Sequence, residues 1–182
     1  MSDDPQKKLT PDFQRGSNEA AKTASREALR LISERKPRMA LQILERCITD
    51  KTADAIVFAQ AGRLYLDLNE LDLAETYLLK SQRLQPNDPR TLQALGDIYF
   101  KRNEPYAALA YYQKALGIKQ EKPEIIMGKI AEVYLDLSDL EEAKKWIDEQ
   151  LSINPKNRYA LGLQKKYEQL KADSNSPEPP HQ

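Results

Sequence analysis

The sequence predicts an all-α fold in which one antiparallel helix pair is repeated along the chain. The first observation behind this is a period. Ala40, Ala74, Ala108 and Ala143 are 34, 34 and 35 residues apart, and each is followed four residues later by a larger apolar residue, Leu44, Leu78, Tyr112 and Ile147. The second is an alternation of small and large residues upstream. Twelve residues before each alanine stand Ala28, Gly62, Gly96 and Ala131, and three residues after those come Leu31, Tyr65, Tyr99 and Tyr134. The third is composition: 31% of the 182 residues are charged and only six are glycine, which favours helices.

Taken in order, the pattern divides the chain into four units. Residues 21–54 fit least well, because Glu27 takes the place of an apolar residue and Thr52 stands where the second unit has Pro86. Residues 55–88 form the second unit. Residues 89–122 form the third, which contains the stretch LGDIYFKRNEPYAALAYYQKA. Residues 124–157 form the fourth, with Pro123 as an added linker residue. Seven residues after the alanines stand Cys47, Ser81, Ala115 and Gln150, small in three of the four units.

Two helix axes approach within about 8–10 Å only where the contacting side chains are small. Gly96 and Ala108 are therefore expected to meet inside one pair, with Tyr99 and Tyr112 filling the space between neighbouring pairs. Pro105 fits the first position of a helix, and Asp139 followed by Glu142 fits a capping box. Beyond Pro155, the residues Ala160, Leu163, Tyr167 and Leu170 keep the helical period while Gln164, Lys165, Lys166 and Glu168 form a polar face. Residues 158–172 thus read as a capping helix, which gives a repeat domain over residues 18–172. Residues 1–17 are expected to be loose and residues 173–182, with three prolines, disordered.

Composition also excludes several functions. With 28 basic and 28 acidic residues, the chain does not suit general polyanion binding. The basic stretches KSQR and ERKPR are interrupted or flanked by acids, so no nucleic-acid partner is expected. No stretch approaches the roughly 18 apolar residues of a membrane span, and the first residues have no apolar core of a leader. One cysteine, Cys47, excludes an internal disulfide framework. A cytoplasmic location is the expectation. His181 sits in the proline-rich tail without a partner to orient it, and Cys47 occupies a packing position. The carboxylates in NELDLAE and SDLEEA suit helix starts, and Trp146 suits the core. No catalytic residue, metal site or cofactor is expected, so the chain reads as non-enzymatic.

The spacing of Leu92, Leu95, Gly96, Tyr99, Ala108, Tyr112 and Ala115 resembles the tetratricopeptide repeat, and the resemblance extends over residues 21–157. The third unit departs from it at Gln120, where proline is usual. The resemblance implies a right-handed α-solenoid whose first helices line a concave groove that accepts a peptide or helix of a partner protein. Carried over unit by unit, the groove positions include Ile32, then Arg63, Leu66 and Asp67, then Gln93, Asp97, Phe100 and Lys101, then Glu132, Leu135 and Asp136. Ile32, Leu66, Phe100 and Leu135 recur once per unit and are expected to form an apolar ribbon; the alternative is that this position is buried by the next unit. The resemblance does not extend to the clamp that grips the acidic tails of heat-shock chaperones. Its positions are filled here by Ser25, Leu29, Gln60, Arg90 and Ala94, or one unit on by Ala59, Arg63, Ala94, Ile125 and Lys129. Two roles share this physics: an adaptor or scaffold that binds a partner segment, and a secretion or assembly chaperone that shields an apolar client. Neither the partner nor the oligomeric state is legible in the residues.

Overall fold

A computed structural model of the protein describes residues 11–174, with the side chains of residues 18–174. Among the described residues the chain is all-α, with nine helices and no strand. The helices are α1 Pro11–Ser33, α2 Pro37–Thr49, α3 Ala55–Asp67, α4 Leu71–Leu84, α5 Pro89–Lys101, α6 Pro105–Leu116, α7 Pro123–Asp136, α8 Leu140–Ile153 and α9 Arg158–Ser174. They form two compact units, Met1–Ala94 and Leu95–Gln182, divided inside α5. In unit 1, α1 packs on α2 and α3 on α4; in unit 2, α7 packs on α8, and α9 packs on both.

The first helix of each pair ends in the same way. Arg35, Asn69, Asn103 and Ser138 have φ of 59°, 63°, 60° and 58°, the left-handed region. Their amides donate to the carbonyls of Ile32, Leu66, Phe100 and Leu135, and the next amides, of Lys36, Glu70, Glu104 and Asp139, donate to Leu31, Tyr65, Tyr99 and Tyr134. These paired bonds satisfy the last carbonyls of the helix and reverse the chain, so the second helix runs back along the first. None of the four residues is glycine, the usual occupant of this conformation.

Several boundaries differ from those expected. Pro123 is the first residue of α7 rather than a linker, because its missing N–H is harmless there, as it is at Pro105 in α6. Helix α1 reaches back to Pro11, ahead of residue 18, and α9 runs on to Ser174. Residues 1–10 and 175–182, including His181, lie outside the described residues. At α8 half of the capping box forms. Asp139 Oδ1 accepts from the Glu142 amide at 3.2 Å, but the Asp139 amide is engaged by Tyr134 and the Glu142 carboxylate faces Lys145 Nζ at 3.4 Å.

The small residues work differently from the expectation too. A Cβ on Gly96 would lie 2.5 Å from Tyr112 Cε1, and one on Gly62 would lie 2.6 Å from Leu78 Cγ. The glycine receives the large residue four beyond the alanine, not the alanine itself. Tyr112 is fully buried, with its ring against Gly96 of its own pair. Tyr99 is only partly buried and stacks on Tyr111 at 5.3 Å, as Tyr65 stacks on Tyr77 at 5.5 Å. Tyr134 and Trp146 occupy the corresponding places in the fourth pair. Both are partly buried against the cluster of Ala131, Leu135, Ala143, Ile147, Leu163 and Tyr167, which joins α9 to α7 and α8.

In two of the four pairs the residue seven past the alanine ties the second helix to the start of the first. Ser81 Oγ donates to the Ala55 carbonyl at 2.8 Å, and Gln150 Nε2 donates to the Glu124 carbonyl at 2.6 Å. Cys47 is buried at the same repeat position, with Sγ 3.1 Å from Thr52 Oγ1.

Candidate partner-binding faces

In a helix, residues three and four apart share a face. On α1 one such stripe contains Lys22, Ser25, Arg26, Leu29, Ile32 and Ser33. Thirty-four residues on, α3 repeats it as Ile56, Ala59, Gln60, Arg63, Leu66 and Asp67. The two stripes meet where Gln60 Nε2 reaches the Ser25 carbonyl at 3.5 Å. Leu29, Ile32 and Ile56 are 55%, 38% and 53% exposed, and Arg63 and Asp67 are exposed beside them. Leu66 is buried, so it supports this face rather than forming it. Gln93, at the start of α5, is partly buried.

In unit 2 three of the groove positions expected from the sequence, Asp97, Glu132 and Asp136, are engaged with other side chains. The fully buried Tyr112 donates its hydroxyl to Asp97 Oδ1 at 2.6 Å. Lys129 Nζ lies 3.4 Å from the same oxygen and 3.8 Å from Glu132 Oε2. Tyr159 of α9 donates to Glu132 Oε2 at 2.6 Å, and Lys166 of α9 donates to Asp136 Oδ1 at 2.6 Å. Gly128 admits the Tyr159 ring: a Cβ there would lie 2.7 Å from Tyr159 Cε1. Desolvation first, and then the Asp97 carboxylate, push the Tyr112 phenol far above its usual range. Tyr159 is raised by desolvation and then by its bond to Glu132.

The four-residue apolar ribbon is therefore not an exposed feature. Ile32 is exposed and Phe100 partly buried, whereas Leu66 and Leu135 are buried. Leu135 shows why, since it packs in one cluster with Leu163 and Tyr167 of α9, the alternative that the sequence left open. Glu132 and Asp136 are likewise held by α9. Lys101 remains exposed on α5. What sequence reasoning passed over was the first part of the stripe: Lys22 and Arg26 on α1 and Ile56 on α3. Applying the 34-residue offset to every residue of α1, not only to the family positions, would have found them.

Two tetratricopeptide repeat models match the chain, one over residues 99–167 and one over residues 55–88, together more than half of its length. The chain belongs to the tetratricopeptide-repeat family, and its fold is the all-α helix-pair solenoid of that family. Anaphase-promoting complex subunit CDC16 of Saccharomyces cerevisiae is 38% identical to it over 60 residues, which cover 33% of this chain and 7% of that protein. The match thus spans a small part of this relative. Among solved structures, the APC/C hetero-tetramer Cut9–Hcn1 superposes with a TM-score of 0.69 at 16% identity, covering 82% of this chain and 29% of that one. The first tetratricopeptide domain of Spaghetti (RPAP3), bound to the HSP90 peptide SRMEEVD, gives a TM-score of 0.60 at 23% identity, over 65% of this chain and 94% of that one. Among the described residues no helix is long and apolar enough to cross a membrane.

Proposed function

We propose that this chain is a non-enzymatic protein-interaction module that holds a segment of a partner protein against its first helices. The observation that carries this reading is the exposure of Leu29, Ile32 and Ile56 where α1 meets α3. Leu135, at the repeat position of Ile32, is covered by α9. Fully burying a Leu or Ile side chain is worth about 1.5–3 kcal/mol, which a partner would recover on this face. Ile32, Arg63, Asp67 and Gln93 are the contact residues of the unit 1 face; unit 2, taken by itself, offers Phe100 and Lys101 on α5. Asp97, Glu132 and Asp136 serve as charges already positioned by Lys129, Tyr112, Tyr159 and Lys166. Leu66 and Leu135 act from beneath. The lone buried Cys47 suits a reducing, cytoplasmic setting. Peptide binding by the related RPAP3 domain supports the reading by analogy alone.

A second reading, a chaperone shielding an apolar client segment, is favoured by the same exposed Leu29, Ile32 and Ile56. A photo-crosslinking residue in place of Ile32, with Lys144 on α8 as the control site, tests partner binding in the native cell. A discrete protein adduct at the first site and none at the second is the expected result. No adduct at either site, or the same adducts at both, would overturn it. An adduct whose partner aggregates when this chain is depleted would select the chaperone reading over the adaptor.

A further inference from the structure

The charge around the α1/α3 face is one-sided. Lys22 and Arg26 lie on the same stripe of α1 as Leu29 and Ile32. Arg63 takes the repeat position of Leu29 on α3, and Arg90, in the first turn of α5, takes that of Lys22 and Ile56. All four cations are exposed, and among the described residues none of them has an ion-pair partner. Against them the two stripes of α1 and α3 carry one acid, Asp67. Glu19, one turn before Lys22, adds a second acid at the start of the α1 stripe, so the face is predominantly basic rather than free of acids, while Glu27 is spent on Arg30 at 2.5 Å and Glu34 on Lys36 at 2.8 Å. The whole chain is formally neutral, so this is segregation and not a general basic character.

At the corresponding first-helix positions of unit 2 the charges are neutralised internally. Asp97 and Glu132 share Lys129 and accept from tyrosine hydroxyls, and Asp136 is paired with Lys166. Unpaired like charges beside exposed apolar side chains are complementary to a ligand that brings both carboxylates and hydrocarbon. We propose that the α1/α3 face of unit 1 binds an acidic amphipathic segment of a partner protein. Its apolar side chains cover Leu29, Ile32 and Ile56 while its Asp and Glu residues face Lys22, Arg26, Arg63 and Arg90. This rests on the proposed function and adds the chemistry of the partner. Three exposed aliphatic residues at the centre of the cations have no use against a phosphate backbone, which favours a peptide over a nucleic acid.

The test uses the full chain and two labelled helical peptides, both with leucine at every third or fourth position. One carries glutamate at the flanking positions, and the other carries lysine there. Fluorescence anisotropy should show the glutamate peptide binding at least about tenfold more tightly, with affinity falling as salt is raised. Arg26→Glu combined with Arg63→Glu should weaken it at least about tenfold with unchanged melting, and Lys165→Glu on α9 should leave it unaltered. Equal affinity for the two peptides would overturn the charge selection and leave the binding face standing. Binding of neither peptide overturns the proposal. Glutamate-peptide binding that survives Leu29→Ser with Ile32→Ser would overturn both the proposal and the binding face itself. Displacement of the peptide by an oligouridylate with the same dependence on Arg26 and Arg63 would replace the acidic segment by nucleic acid.

Discussion

Asp88 and Asn157 cap the first turns of α5 and α9 alike, accepting from the amides of Thr91 at 3.0 Å and Ala160 at 3.2 Å. From there, residues 69 apart, two repeats on, correspond. Thr91, Ala94 and Ile98 of α5 match Ala160, Leu163 and Tyr167 of α9, and all six are buried. The other face diverges. In α5, Leu92, Leu95 and Gly96 are buried, and Gly96 admits Tyr112 of α6. In α9 the same positions are Leu161, 45% exposed, Gln164 and Lys165. One face is therefore enough to attach α9 to the α7/α8 pair, and the other differs according to whether a partner helix follows. Lys165 in place of glycine removes the close approach that a second helix needs, which supports the proposal that α9 serves as a capping helix.

The comparison breaks most readily at Tyr167. Truncating this buried ring, which packs with Leu135 and Ile147, should cost about 3 kcal/mol or more, whereas Lys165→Ala on the opposite face should stay within about 0.5 kcal/mol. Chemical denaturation of the two variants measures both. Equal losses would mean that α9 is not held by one face.

The second test exchanges side chains at the diverging position. Gly96→Leu should destabilise by about 1–3 kcal/mol, because even a Cβ meets the Tyr112 ring at 2.5 Å and that ring is fully enclosed. Lys165→Leu should leave thermal stability unchanged and instead expose an apolar strip beside Leu161, read as concentration-dependent elution in size-exclusion chromatography. A stable Gly96→Leu protein would show that the α5/α6 pair separates freely.

Alkaline pH probes the Tyr112 contact without moving the backbone. The folded state raises the Tyr112 pKa, chiefly by desolvation and then through Asp97. The unfolded phenol titrates near 10, so the stabilising contribution is complete below that pH and is lost as pH rises beyond it. The slope is about 1.4 kcal/mol per pH unit for one such group, and Tyr112→Phe should flatten the melting curve above pH 10 by that amount. An unchanged slope in the variant would mean that Tyr112 ionises freely in the folded protein.

The helix pairs were legible in the sequence because four alanines at a near-constant period constrain packing over the whole chain. Their reversals were not, since Arg35, Asn69, Asn103 and Ser138 share a conformation and no side-chain chemistry. The groove positions were legible as a register but not as a surface. Whether Ile32 or Leu135 is open depends on what lies beside each helix, and the period of a repeat says nothing about where the array stops. Tyr111 was likewise hidden as the stacking partner of Tyr99, because the family pattern stresses the first helix of each pair. Asp97 gave no sign of its role, since its partner Tyr112 was assigned to the space between pairs.

The smallest effect concerns buried polar groups that are satisfied at one junction and not at the other. Behind α5, the Ser81 hydroxyl donates to the Ala55 carbonyl at 2.8 Å and the Thr91 hydroxyl, 3.3 Å from it, donates to Asp88 Oδ2 at 2.5 Å, so both buried hydroxyls are satisfied. Behind α9, Ser81 is replaced by Gln150 and Thr91 by Ala160. Gln150 is fully buried and its Nε2 donates to the Glu124 carbonyl, but among the described residues its Oε1 accepts nothing, and alanine at the repeat position of Thr91 brings no donor. Restoring a hydroxyl with Ala160→Ser should stabilise the protein by about 1 kcal/mol, the net value of a hydrogen bond to an otherwise unsatisfied buried group. A double-mutant cycle with Gln150→Met isolates the bond from the change in volume: the gain should vanish when the amide is gone. If Ala160→Ser has the same effect in both backgrounds, the Gln150 oxygen is already satisfied and the two junctions are equivalent after all.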